Sequence, residues 1–473
     1  MRASISAQQI PSHGAAAAAL ISIATCLVAL LAMSSPALAQ TKYVLSDLGT
    51  LAGANHNSSA NDINNSGQVT GTSATSSGQS HAFRTEPNRA ITPSDDLGTL
   101  GGTSSSGERI NDAGQVAGSS STGSFTHAFR SSANFVTVAL TDLGTFDGTS
   151  SSFGSGIDVF GRVTGSAHVA GTPACFFIFS NSAFRTTATG TVAGGDNLGT
   201  LVANNCRSAQ GWAINDLGVV VGESATQFST GIPNHAFRAT PGFAMVDIHP
   251  AGYNSSIAVD INSAGEIVGT VTVGPAFAPT AQYCYRTAPG QSIQLPTDSL
   301  GDLGGAGPFC SARGINGDGD VVGTSSTGTE AHAFIYTGGA IYDLNNFIAP
   351  TTVVLTQATG INDLGQISAQ GWTNGNFGGN LHGFRLDPID VAINNFVNQL
   401  SDPSLGLTTG QISSLTDKLL NSLASVEQGA NKQAINQLNA FINSVDAWLK
   451  TGKISSATAN TLIAATNAII AVL

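Results

Sequence analysis

Polar and apolar positions along this chain follow one short pattern that recurs seven times. Its fixed point is an Ile followed by Asn, at Ile63-Asn64, Ile110-Asn111, Ile214-Asn215, Ile261-Asn262, Ile315-Asn316 and Ile361-Asn362, with Asp in the second place at Ile157-Asp158. A Gly stands four residues after each Ile, from Gly67 to Gly365. Successive Ile residues are 47, 47, 57, 47, 54 and 46 positions apart, a period that marks an internal repeat. Two more signals keep the same phase. Asp-Leu-Gly-Thr lies upstream at 47–50, 96–99 and 142–145, with looser forms beginning at Asn197, Asp247, Asp302 and Asp343. His-Ala-Phe-Arg lies downstream at 81–84, 127–130 and 235–238, with variants at 182–185, 283–286, 332–335 and 382–385. In the third copy Ala174-Cys175-Phe176 competes for that slot.

Each repeat reads as four short strands. The first ends at Ile-Asn, a Gly-bearing turn follows, and a β-branched strand such as Asp320-Val321-Val322-Gly323 comes next. His-Ala-Phe forms the third strand, and the run into Asp-Leu-Gly forms the fourth. Four strands in about 45 residues is the size of a propeller blade. The chain opens on a fourth strand, near Val44, and its last repeat lacks one. A ring closes if the N-terminal strand completes the last blade, and closure removes sheet edges that promote aggregation. The expected fold is therefore mainly β: a seven-bladed β-propeller over 40–388, closed by its N-terminal strand. An open β-solenoid is the alternative.

After Pro388 the apolar positions fall at helical spacing. A short helix is expected over 391–400. Ile412, Leu415, Leu419, Leu423 and Val426 mark the next, stopped by Gly429. Asn431 is placed to cap a third helix and Ser455 a fourth. Short connections imply a small antiparallel bundle over 389–473. At the other end, Arg2, an apolar run from Ala15 to Met33 and Ala37-Leu38-Ala39 read as a secretory signal peptide, cleaved after residue 39. No membrane span is then expected in the processed chain.

The motifs carry two resemblances. Asp-Leu-Gly-Thr-Leu-Gly-Gly, Ile-Asn-x-x-Gly-x-Val-x-Gly and His-Ala-Phe-Arg together resemble the HAF family of extracellular repeats, over residues 41–388. That resemblance implies a secreted location rather than an activity. The stretch from Ala434 to Asn443, with Ser414-Leu415-Thr416-Asp417-Lys418-Leu419 upstream, resembles the FIMAH domain of secreted bacterial proteins. It implies an accessory or attachment role.

Charge narrows the partners. Only 10% of residues are charged and the net charge is −12, which argues against nucleic acid. Four cysteines lie beyond the leader, and an even number in an exported chain points to two disulfides. Their places in the repeat favour Cys175–Cys206 and Cys284–Cys310, each joining one blade to the next. No Gly-x-Ser-x-Gly, His-Glu-x-x-His or phosphate loop is present, and no cofactor or metal is expected. The recurring His residues (His81, His127, His235, His332, His382) stand one per blade, too dispersed to share a metal; each is expected to bond the same backbone feature. The turn 316–320 resembles part of a calcium loop but lacks the following Glu.

Departures from the repeat carry the candidate site. If the Ile-Asn strand is innermost, the residues just before it approach the axis. Most are small; the exceptions are Asp62, Glu108, Arg109, Trp212, Asp260 and Arg313. Carboxylates, guanidinium groups and an indole round a channel suit a sugar or a charged ligand. Trp372, in a Gly/Asn-rich stretch of the last blade, is a second candidate sugar platform. The expected function is a monomeric, non-enzymatic binding protein for an extracellular glycan or protein. The rivals are a glycan hydrolase or lyase using the near-axis carboxylates, and a surface-layer component.

Overall fold

The computed structural model describes residues 42–53, 56–133, 139–169, 181–202, 208–226, 234–275, 279–305, 307–328, 330–375 and 379–473. The expected leader, Cys175 and Cys206, and with them the expected Cys175–Cys206 disulfide, lie outside them. Seven antiparallel sheets form the blades of a β-propeller. Blade one holds β2 (Ser58–Ile63), β3 (Val69–Ala74) and β4 (Ser80–Arg84); blade two holds β5 (Ser105–Ile110), β6 (Val116–Ser121), β7 (Thr126–Ser131) and β8 (Leu140–Asp142). Blade three is β9 (Ser152–Ile157), β10 (Val163–His168), β11 (Asn181–Arg185) and β12 (Asn197–Gly199), and blade four is β13 (Ala209–Ile214), β14 (Val220–Ala225), β15 (Asn234–Ala239) and β16 (Val246–Asp247). Blade five is β17 (Ser255–Ile261), β18 (Ile267–Val273) and β19 (Ala281–Arg286); blade six is β20 (Cys310–Ile315), β21 (Val321–Ser326), β22 (Ala331–Thr337) and β23 (Ala340–Asp343).

Blade seven is completed as the order of signals requires. Its strands β24 (Val354–Ile361), β25 (Ile367–Trp372) and β26 (Leu381–Pro388) are joined by β1 (Tyr43–Asp47), with Tyr43 opposite Pro388 and Asp47 opposite Phe384. In the third copy Ser182-Ala183-Phe184-Arg185 fills the third strand. Two blades have fewer than the four expected strands: the fourth is a single bridge, Phe83 to Asp96 in blade one and Tyr285 to Ser299 in blade five.

The repeated residues are explained by what they hold. The aromatic of the third strand (Phe83, Phe129, Phe184, Phe237, Tyr285, Phe334, Phe384) is fully buried in every blade, and burying such a ring contributes about 2–3 kcal/mol. In six blades a second-strand Gly opposite it, replaced by Ala369 in blade seven, leaves room for a β-bulge in the first strand: a Cβ on Gly118 would meet the Ser106 carbonyl at 2.0 Å and the Phe129 ring at 2.9 Å. His and Asp belong together. His81 Nδ1 lies 2.9 Å from Asp96, and the pairs His127–Asp142, His235–Asp247, His332–Asp343 and His382–Asp47 repeat it. The partner is thus a carboxylate rather than the expected backbone feature, because the fourth strand brings the Asp of Asp-Leu-Gly beside the third-strand His. The same carboxylate accepts the N–H of the residue two further on, as Gly49 to Asp47 at 2.8 Å, fixing the turn.

The Asn after each Ile closes the ring. Its Nδ2 donates to the equivalent carbonyl of the next blade: Asn64 to Asn111, Asn111 to Asp158, Asn215 to Asn262, Asn262 to Asn316, Asn316 to Asn362, and Asn362 back to Asn64, at 2.8–3.3 Å. The calcium-like turn spends Asn316 this way. Asp158 has no amide to give. Arg162 replaces it, ion-paired to Asp158 and donating through Nη2 to the Asp216 carbonyl at 2.8 Å. Asp158 is 2% exposed, so Arg162→Gln alone strands a buried charge and is expected to cost about 3 kcal/mol. Asp158→Asn with Arg162→Gln recreates the Asn/Gln pair of blades one, two and seven, and is expected to recover most of that loss. Urea unfolding of the two variants checks this; equal midpoints would sink it.

Cys284 and Cys310 form the expected disulfide between β19 and β20, joining blades five and six. Beyond Pro388 come α1 (Ile389–Gln399), α2 (Thr409–Glu427), α3 (Asn431–Lys450) and α4 (Ser456–Val472). Ser455 caps α4, its hydroxyl accepting the Thr458 N–H at 3.0 Å. Asn431 is no cap: it is the first residue of α3, and its Nδ2 donates to the Leu473 carbonyl. Thr408 and Gln411 form a capping box on α2. No helix among the described residues is long and apolar enough to cross a membrane.

Candidate functional site

A strand alternates its side chains, so only every second residue of an inner strand would face the axis. The β-bulge changes that. In blade one Ala60 is opposite Gly71 and Asp62 opposite Thr70, leaving Asn61 as the extra residue. The same shift leaves Glu108, Ser155, Trp212, Val259, Arg313 and Thr359 extra in the other six blades. A bulge re-aims the side chain it carries. These seven residues line one axial cavity of about 150 Å3, with Gln357, Gln370 and Arg109; a further shift in blade seven leaves Thr356 extra, outside that lining. The seven are seven different amino acids, two positions before an Ile that never varies.

The residue after each bulge forms a second layer. There Arg109 crosses the channel. Its Nη1 lies 3.4 Å from Asp62 and its Nη2 3.8 Å from Asp260, and Nη2 donates to the Arg313 carbonyl at 3.2 Å. Asp62 also accepts the Ile110 N–H at 3.0 Å, and Asp260 the Ile315 N–H at 3.1 Å. These three side chains are 13–17% exposed. Burial pushes Asp62 up to about 6 against the opposing pull of Arg109. Asp260 is raised by burial too, again opposed by Arg109. Burial disfavours the Arg109 cation, but the Asp260 and Asp62 charges outweigh it and its value is raised. The layer is an ionic plug beneath the cavity. On its other side the Ile-Asn turns ring a depression of about 230 Å3.

The six near-axis candidates therefore separate: Asp62 and Asp260 lie in the plug, Glu108, Trp212 and Arg313 line the cavity, and Arg109 holds the plug together and forms part of the cavity lining. Trp212 is held by its Nε1, which donates to Glu223 at 3.3 Å; Asn234 donates to the other Glu223 oxygen at 2.6 Å. Burial raises Glu223. Glu108 accepts the Ser106 hydroxyl at 2.7 Å. Trp372 is the last residue of β25 rather than part of a loop, and it does not line the axial cavity. Asn61, Ser155, Val259, Thr359, Gln357 and Gln370 escaped the search for large or charged residues. Aligning the seven repeats on their Ile would have found four of them.

The two ends of the channel differ in their loops. At the Ile-Asn end five residues join first and second strands in all seven blades. At the cavity end the second-to-third connections vary: four residues separate Ser121 from Thr126, and twelve separate His168 from Asn181.

Among solved structures, a glycosyl hydrolase from Bacteroides ovatus is similar at 10% identity and a TM-score of 0.21, over 48% of this chain and 81% of that one. At those values the likeness carries no argument. No curated protein matches the chain. The family model of the FIMAH domain matches residues 393–471, the helical end of the chain that follows the propeller.

Proposed function

We propose that this is an exported, non-enzymatic binding protein whose propeller receives the end of an extracellular glycan in the axial cavity. One observation carries the reading: seven repeats that share the Ile and the buried third-strand aromatic in every copy, the Asn in six and the His in five, present seven unlike side chains at the bulge position, which faces the cavity. A symmetric scaffold with an asymmetric mouth suits one oriented ligand. Hydroxyl, amide and indole groups suit a sugar. The strand ends that flank these connections of unequal length lie at the same end, where binding loops are expected.

Export is supported by the leader-like N-terminus, the Cys284–Cys310 disulfide and the resemblance to extracellular HAF repeats. A division at residues 39 and 388 fits this reading, with the FIMAH-like end as an attachment module. The glycan hydrolase reading has one observation in its favour, the raised Asp62 value, which would suit a general acid. Yet Asp62 and Asp260 lie below the cavity and are both committed to Arg109, which leaves no pair of carboxylates to flank a glycosidic bond.

The test is incubation of the processed protein with immobilised polysaccharides, recording retention and soluble products together. Retention without products, weakened about tenfold or more by Trp212→Ala through lost stacking, is the expected result. Soluble products would overturn the non-enzymatic reading, and absence of retention would overturn the glycan.

A further inference from the structure

Two guanidinium groups meet at the axial cavity, and only one is neutralised. Arg109 is held between Asp62 and Asp260. The Arg313 side chain is exposed to the cavity and makes no hydrogen bond or ion pair among the described residues. Its surroundings disfavour its charge: burial first, and then the positive charge of Arg109, lower its value. An anion placed there would relieve both effects, and a carboxylate matches the guanidinium fork in two parallel hydrogen bonds.

The rest of the lining orients that anion. Glu108, on blade two, is the cavity's other ionic group, so a negative ligand group is turned away from it and towards blade six. Glu108 can accept hydroxyl protons instead. Trp212 supplies an aromatic wall on blade four, between these poles. A volume of about 150 Å3 accommodates one sugar ring rather than a chain, so the ligand enters by its end.

We propose that the cavity binds the terminal uronate of an acidic glycan, with its carboxylate on Arg313 and its ring against Trp212. This rests on the glycan-binding reading above and names its ligand class. The Arg313 carbonyl is already used by Arg109, so only the side chain is free for ligand and its replacement leaves the plug intact.

The experiment compares tetragalacturonate with its carboxyl-reduced counterpart by calorimetric titration of the full processed protein. The acid is expected to bind at least about tenfold more tightly, and Arg313→Gln to abolish that preference, weakening the acid about tenfold more than the reduced form. Arg313→Lys is expected to keep part of the preference, because it retains charge and loses the fork. Equal binding of the two ligands, or a preference that survives Arg313→Gln, would overturn the uronate and leave the glycan reading standing. Binding of neither would overturn the uronate, while the glycan reading is overturned only by absence of retention on the immobilised polysaccharides. An unchanged melting midpoint in the Arg313 variants separates loss of the contact from loss of fold.

Discussion

Replacing Arg109 by methionine is expected to cost about 3–5 kcal/mol of stability at pH 7, and much less at pH 5. The size follows from what remains. Methionine fills the stem of the side chain but leaves Asp62 and Asp260, both largely buried, without their shared cation. Breaking a buried pair by removing one partner is far more costly than never having had it.

The pH dependence follows from the same carboxyls. In the native protein Asp62 is pushed up to about 6, against about 4 in an unfolded chain. Between those values the folded state binds the proton more tightly. Asp62 therefore favours the native state most at low pH, and that contribution is lost as pH rises through about 6. Without Arg109 nothing opposes burial, both carboxyls rise further, and the window extends upward. Protonation at pH 5 then removes the unpaired charges. Urea midpoints of wild type and variant at the two pH values measure the difference, in which the titration of every other group cancels. A deficit of the same size at both would sink the argument. Adding Asp62→Asn and Asp260→Asn to the Arg109→Met chain is expected to restore most of the loss at pH 7, since a neutral layer leaves no charge unpaired and Asn still accepts the Ile110 and Ile315 N–H groups.

The plug also shows where sequence reading stops. Ile-Asn-x-x-Gly, His-Ala-Phe and Asp-Leu-Gly each report a local device, so the blades, their phase and the closing strand near Val44 were legible. So was Cys284–Cys310, because repeat phase put both cysteines at one blade junction. What alternation hides is the bulge. Glu108 and Arg109 are adjacent, and a regular strand would send one of them away from the axis. The bulge brings both to it, at different depths, and so divides ligand-facing residues from structural ones. The clue was the second-strand Gly, which reads as a turn or a weak strand position until its contact with the first-strand carbonyl is known. Asp158 and Arg162 were likewise unreadable as a pair. Their ion pair replaces a hydrogen bond whose recipient, the Asp216 carbonyl, lies more than fifty residues on. The His partner was misassigned because the Asp of the fourth strand lies 11 to 15 residues downstream in four blades and 335 residues upstream in blade seven.

A second large effect is expected at Val44. Strand β1 lies between two cores. Tyr43 packs into the blade-seven core with Leu355, Ile367 and Phe384, and Leu45 lies against it. Val44, pointing the other way, belongs to the helical core with Ile389, Ile393, Phe396 and Leu462. The strand that closes the ring is thus one wall of the bundle. Polar contacts reinforce the junction. Asn88, in a left-handed conformation at φ 58° that Asn tolerates better than most residues, donates to Asn395 at 3.1 Å and accepts from Gln366 at 2.9 Å. Arg89 pairs with Asp402.

Val44→Asp is therefore expected to cost at least about 3 kcal/mol, from lost apolar burial and an unpaired buried carboxylate. The distribution of the damage is the sharper test. Hydrogen exchange is expected to accelerate together in α1, α4, β1 and β26, because loosening the bundle unseats the closing strand. Blades three and four, across the ring, are expected to change least. Acceleration confined to the helices, with β1 still protected, would show that the bundle merely hangs on the propeller. A joint response makes attachment at the helical end mechanically continuous with the ring. Force or binding there would then reach the His382–Asp47 pair that links third and fourth strands of blade seven. That pair has its own pH limits: Asp47 is lowered despite burial, chiefly by its hydrogen bond from His382, and His382 is raised chiefly by Asp47. Its contribution is lost in acid, as pH falls through the depressed Asp47 value, and in base, as pH rises through the raised His382 value. The closing strand is accordingly held from one side by an apolar contact indifferent to pH, and from the other by an ion pair that works only between those limits.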